Sequence, residues 1–76
     1  HVKDVSASLA ASLRGEDTGI GVSESPIGQG VNAPNIAECV RLLKQADWDG
    51  FLSVECLGTD DNLVASIGWL REQLAK

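Results

Sequence analysis

Apolar residues recur along this chain at helical spacing in three places and form one compact strand-like run. Leu9 and Leu13 share a face of a short helical turn, which Ser6 or Ser8 can cap. Ile36, Cys39, Val40 and Leu43 predict an amphipathic helix that opens at Asn32 or Ala33. Pro34 is tolerated there, because the first helical turn has no use for its missing N–H. The helix yields between Ala46 and Asp49, and Gly50 then supplies a permissive backbone conformation. Residues 51–56 (FLSVEC) are apolar enough for a strand covered on both faces. Thr59 to Asp61 offer N-caps and negative charge for a final helix, whose stripe is Leu63, Ile67, Leu70 and Leu74 and whose end carries Arg71 and Lys76. Residues 1–5 have room only for the end of another strand.

The predicted order is strand, loop, helix, strand, helix. Two strands joined through a helix imply a parallel right-handed crossover, and a two-stranded parallel sheet has too little area to cover its helices. Further strands are expected from outside this stretch. The connection at residues 15–30 (GEDTGIGVSESPIGQG) holds five glycines, a proline and three acidic residues. That is long for an idle link, which predicts either a lid or a subunit contact. Its Ile20, Val22 and Ile27 suit anchors to the fold or a closing surface, and Glu16 and Asp17 are most simply loop charges. Gly28-Gln29-Gly30 is no dinucleotide fingerprint, since it lacks the third glycine and no strand leads straight into it.

Composition narrows the function classes. With 76 residues, a net charge of −5 and 43% hydrophobic residues, the chain is globular sequence and at most one small domain. Six Lys and Arg against eleven Asp and Glu, with no basic cluster, argue against nucleic acid as a partner. No apolar run approaches the roughly 18 residues of a membrane span, and no signal peptide opens the chain. Cys39 and Cys56 form no CxxC pair and read as reduced structural thiols, which suits a cytoplasmic protein. The chain begins at His1 with no initiator methionine, so a part of a larger domain is expected.

In parallel α/β folds the chemistry gathers at the C-terminal ends of strands. His1 and Glu55 each stand at such an end, and neighbouring strand ends lie about 5 Å apart. An imidazole and a carboxylate could therefore face one divalent ion. Against that, a lone His is more often a bystander, and a strand-end Glu can be a solvated loop residue. Lys3 and Asp4 are either an exposed ion pair worth little or groups that reach substrate oxygens. Arg14 reads most simply as a loop charge.

HVKD at the start, PIGQGVN in the middle and the run LLKQADWDGFLSVEC together resemble the last quarter of the xylose isomerase-like TIM barrels, the sugar phosphate isomerase/epimerase family. The resemblance extends over nearly the whole chain and implies the C-terminal βαβα fragment of a (β/α)8 barrel, residues 1–76 supplying the last two βα units. It also implies a divalent metal (Mn²⁺, Mg²⁺, Zn²⁺ or Co²⁺) held by Glu, Asp, His and Glu, of which His1 and Glu55 are present. Glu55 would be ligand and acid/base together, Lys3 and Asp4 would bind substrate, and proton transfer next to a carbonyl would isomerise, epimerise or dehydrate a sugar or polyol. The segment after His1 lacks the early substrate-binding Arg of the epimerases, and its Lys-Asp pair is closer to the inosose dehydratase-like branch. On this reading the 76 residues alone are inactive, and the full-length protein could form homo-oligomers. The competing expectation is a small non-enzymatic interaction module.

Overall fold

The computed structural model describes residues 1–14, 24–56 and 58–76. Among these described residues three helices carry the fold: α1 (Ala7–Leu13), α2 (Ala33–Gln45) and α3 (Asp60–Ala75). Their starts follow local chemistry. Ser6 caps α1 by accepting the Leu9 N–H through its hydroxyl at 3.3 Å. Asn32 is the N-cap of α2, which has Pro in its first turn. Thr59 precedes α3, whose first turn carries Asp60 and Asp61 against the positive end of the helix dipole.

The expected βαβα barrel fragment is not what forms. The described residues form a small all-helical domain, and among them the two strand-like segments meet in a single parallel bridge between Val2 and Val54. Two hydrogen bonds make that bridge, from Val2 N–H to the Ser53 carbonyl at 2.7 Å and from Glu55 N–H to the Val2 carbonyl at 2.9 Å. The physical reason is cooperativity: a ladder two strands wide is marginal in water, and no third segment among the described residues pairs with either edge. Nor is the stretch at 51–56 covered on both faces. Phe51 is 94% exposed, Ser53 and Glu55 are exposed, and only the alternate Leu52, Val54 and Cys56 are half-buried.

The core is built from Ile27, Val40 and Leu70, with Val2, Ile36, Leu52, Val54 and Trp69 packed against it. Helix α3 turns a different face inward from the one its leucines suggest. Ser66, Leu70 and Gln73 are its buried residues, while Leu63 and Leu74 stay exposed. Ser66 explains the rotation. Its hydroxyl accepts the Ile27 N–H at 2.8 Å and donates to the Asn62 carbonyl at 2.7 Å, so the helix is tied to the loop at Ile27 by a buried polar link. Ile27, expected on a moving lid surface, is 1% exposed and locked in the core. Ile20, Val22, Glu16 and Asp17 lie outside the described residues. At the end of α2 the left-handed residue is Asp47, with φ 53°, and Gly50 is small for another reason: a Cβ there would meet the Trp48 ring.

Because Phe51 is almost wholly in water, Phe51→Ser should change stability by no more than about 0.5 kcal/mol. A thermal melt of the variant checks this, and a loss of several degrees would mean that Phe51 is buried in solution.

Candidate functional site

The Val2–Val54 bridge places the residues flanking it side by side. His1 Nδ1 lies 3.1 Å from Glu55 Oε2, and Lys3 Nζ lies 3.6 Å from the same oxygen. This cluster is wet, with the His1 side chain 72% exposed and that of Glu55 47% exposed. Glu55 is therefore not a carboxylate stranded in a dry interior. Its ion pairs, standing alone at the surface, are worth about 0–1 kcal/mol.

The separation of His1 and Glu55 also fits a shared ion. Two donors bound at about 2.1 Å and roughly right angles to each other sit about 3 Å apart. Donor chemistry agrees, since neutral imidazole and carboxylate both ligate divalent metals. The number of donors falls short. Among the described residues no group of three or more His, Cys, Asp and Glu is placed to hold a metal, and the Lys3 ammonium competes for Glu55. The pair is a partial site, two donors suited to one ion.

Asp4 has a different position from the substrate contact expected of it. It is 1% exposed, and both carboxylate oxygens are engaged by backbone. Oδ1 accepts the N–H groups of Val5 and Asn32, each at 2.9 Å. Oδ2 accepts those of Gly28 at 3.0 Å and Gly30 at 2.9 Å. A carboxylate offers about four lone-pair positions, so none remains for a substrate. These charge-assisted bonds offset the several kcal/mol that an isolated buried carboxylate costs.

The two glycines of the GQG step belong to this cradle. Gly28 has φ +100°, and a Cβ there would strike the Trp69 ring. At Gly30 a Cβ would meet the Asp4 carboxylate and the Val5 carbonyl, which itself accepts the Val31 N–H at 2.8 Å. The turn thus lies directly against the segment that carries His1 and Lys3.

Two residues that the sequence left in bland roles also come to the site. Arg14, at the C-cap of α1, and Asn32, at the N-cap of α2, line a cavity of about 310 Å³ together with Lys3, Asp4, Val5 and Val31. The sequence placed Asn32 at the start of α2 and read Arg14 only as a loop charge; their meeting at one cavity was not legible. On the other side of His1 and Lys3 runs a groove of about 370 Å³ against α2, walled mainly by Ile36, Val40, Leu43 and Leu52. Cys39 is an exposed free thiol and Cys56 a half-buried one, 3.7 Å from the Ser66 hydroxyl. On the outer surface of α2, Arg41 chelates Glu38 and holds its carboxyl below the usual carboxylate range through that hydrogen bond. Among the described residues no helix is long and apolar enough to cross a membrane. Compared with family models, curated proteins and solved structures, the chain matches none.

Proposed function

We propose that this chain contributes His1 and Glu55 to a divalent-metal site at which a proton is moved next to the carbonyl of a sugar or polyol-derived ketone. The observation that carries the reading is the 3.1 Å approach of the imidazole to the carboxylate, held by backbone bonds on either side of Val2. A divalent ion held in part by His1 and Glu55 would supply positive charge for oxygens that gain negative charge as the proton leaves. Glu55 takes the proton from the carbon beside the carbonyl, and the C–H electron pair becomes the new C=C bond as the carbonyl pair moves to oxygen. Return of the proton to a different carbon or face gives isomerisation or epimerisation; departure of a β-hydroxyl as water gives dehydration. Lys3, already beside Glu55, is positioned to donate a hydrogen bond to a substrate oxygen. The remaining ligands come from outside the described residues, so the 76 residues by themselves bind metal weakly and do not turn over substrate.

Paramagnetic Mn²⁺ tests this on the chain itself. Titration should broaden the His1 ring resonances, and Glu55→Gln or His1→Ala should weaken Mn²⁺ binding at least about tenfold. Circular dichroism should be unchanged, because both side chains are exposed. Mn²⁺ binding that is insensitive to both substitutions would remove the metal reading.

A second reading, a non-enzymatic interaction module, is favoured by the exposed Phe51, Val64 and Trp48. It is the reading that stands if Mn²⁺ leaves His1 and Glu55 untouched.

A further inference from the structure

Phe51 is 94% exposed and does not stand alone. Trp48 at 46% and Leu74 at 47% share its face, where the three line a groove of about 310 Å³ with Leu52, Ile67 and Leu70. Isolated apolar side chains are ordinary on a surface, but two aromatics and a leucine gathered around one groove mark an interaction site. The turn that carries the aromatics is preformed. Its base is held to the end of α2 by the Asp47 N–H on the Lys44 carbonyl at 3.1 Å and the Trp48 N–H on the Leu43 carbonyl at 3.0 Å. The Trp48 ring lies against Gly50, in the space a Cβ would occupy, so the indole is fixed beside the groove before anything binds. Two exposed charges, Asp49 and Arg71, complete the lining. Among the described residues neither enters an ion pair.

The face therefore carries both halves of each contact it offers: a projecting benzyl group beside a groove that would receive one, and an acid beside a base. A partner of one charge sign answers only one of Asp49 and Arg71. A second copy of the same face, turned about a two-fold axis, answers both. We infer that the occupant is a second copy of this chain, joined isologously so that Phe51 of each copy enters the groove of the other and Asp49 of each meets Arg71 of the other. Phe51 is the apolar anchor, and the reciprocal ion pairs at the rim set register more than affinity. The groove has nine lining residues, against roughly 20–30 a side in a stable interface, so the dimer is weak. The net charge of −5 on each copy opposes it further. This pairing uses neither His1 nor Glu55, so it stands or falls separately from the proposed function.

Sedimentation velocity of the chain between about 10 μM and about 1 mM is the test, and a reversible monomer–dimer equilibrium is expected with Kd on the order of 0.1 mM. Phe51→Ser should raise that Kd at least about tenfold. Its melt at about 10 μM, where the monomer dominates, should stay that of the wild type. Asp49→Arg and Arg71→Asp should each weaken association severalfold, since each homodimer then sets two like-charged pairs face to face. Mixed in equal amounts, these two variants should associate more tightly than either does alone, because one copy then presents two cations and the other two anions. Only a two-fold pairing of these residues gives that rescue. A chain still monomeric at about 1 mM overturns the inference, whatever peptide the groove then takes up. So does a dimer that Phe51→Ser leaves intact, or a pair of charge variants that gains nothing on mixing.

Discussion

Replacing Asp4 by alanine is expected to leave the chain without a cooperative fold at room temperature. The carboxylate is the acceptor for four backbone N–H groups drawn from three places in the sequence: Val5, the Gly28–Gly30 turn and Asn32 at the start of α2. The Val5 N–H is buried and those of Gly28, Gly30 and Asn32 are half-buried, and each donor left without an acceptor costs up to about 1–3 kcal/mol. Four of them together reach or exceed the stability of a small domain, which is roughly 5 kcal/mol at the lower end of the usual range. Asp4→Asn is milder. It retains one oxygen that can accept two of the bonds, but its NH₂ then faces two other donors, so a loss of about 2–4 kcal/mol is expected. Thermal melts followed by circular dichroism, with the Gly28 and Gly30 amides watched by NMR, measure both variants. A wild-type melt for Asp4→Ala would show that these amides find water or another acceptor, and the cradle would lose its structural role.

The second large effect is expected at Gly30. A methyl group there would collide with the Asp4 carboxylate and the Val5 carbonyl. Neither can retreat easily, because the carboxylate is held by its four donors and the carbonyl by the Val31 N–H. Overpacking of this kind costs about 1–3 kcal/mol, and the accompanying displacement of Asp4 adds to it. Gly68 supplies the control. It lies inside α3 with nothing near the position of an added Cβ, so Gly68→Ala should stabilise the protein by about 0.5–1 kcal/mol. Urea denaturation of the two variants should shift the midpoint in opposite directions. A Gly30→Ala midpoint at or above that of the wild type would mean that the turn does not press on Asp4.

These two predictions bear on the proposed chemistry through geometry. Asp4 is next in sequence to Lys3, and its carboxylate holds the Asn32 backbone, so the cradle sets the spacing of Lys3 and Asn32, which line one cavity. The His1–Glu55 pair depends instead on the bridge at Val2 and Val54, which Asp4 does not touch directly.

The sequence by itself determined the helices. Ser6 caps α1 through its side chain, Pro34 stands in the first turn of α2 and Asp60 and Asp61 in that of α3, so the starts lie where the local sequence puts them although the Asn32 and Thr59 side chains make no cap bond. It also contained the pairing of His1 with Glu55, since both flank the short apolar segments that meet at the bridge. Whether those segments become a sheet was a tertiary matter: a strand is stabilised by its neighbours, and here one bridge forms with no third segment among the described residues to extend it. The inward face of α3 was decided in the same way, by the buried link from Ser66 to Ile27, 39 residues away in sequence. Asp4 gave no local sign of its role, because its partners at Gly28, Gly30 and Asn32 are 24 to 28 residues distant and are backbone groups that every residue except proline carries. Capping and periodicity are short-range and can be read from neighbouring letters, whereas which buried carboxylate meets which amides is fixed only when the chain has closed on itself.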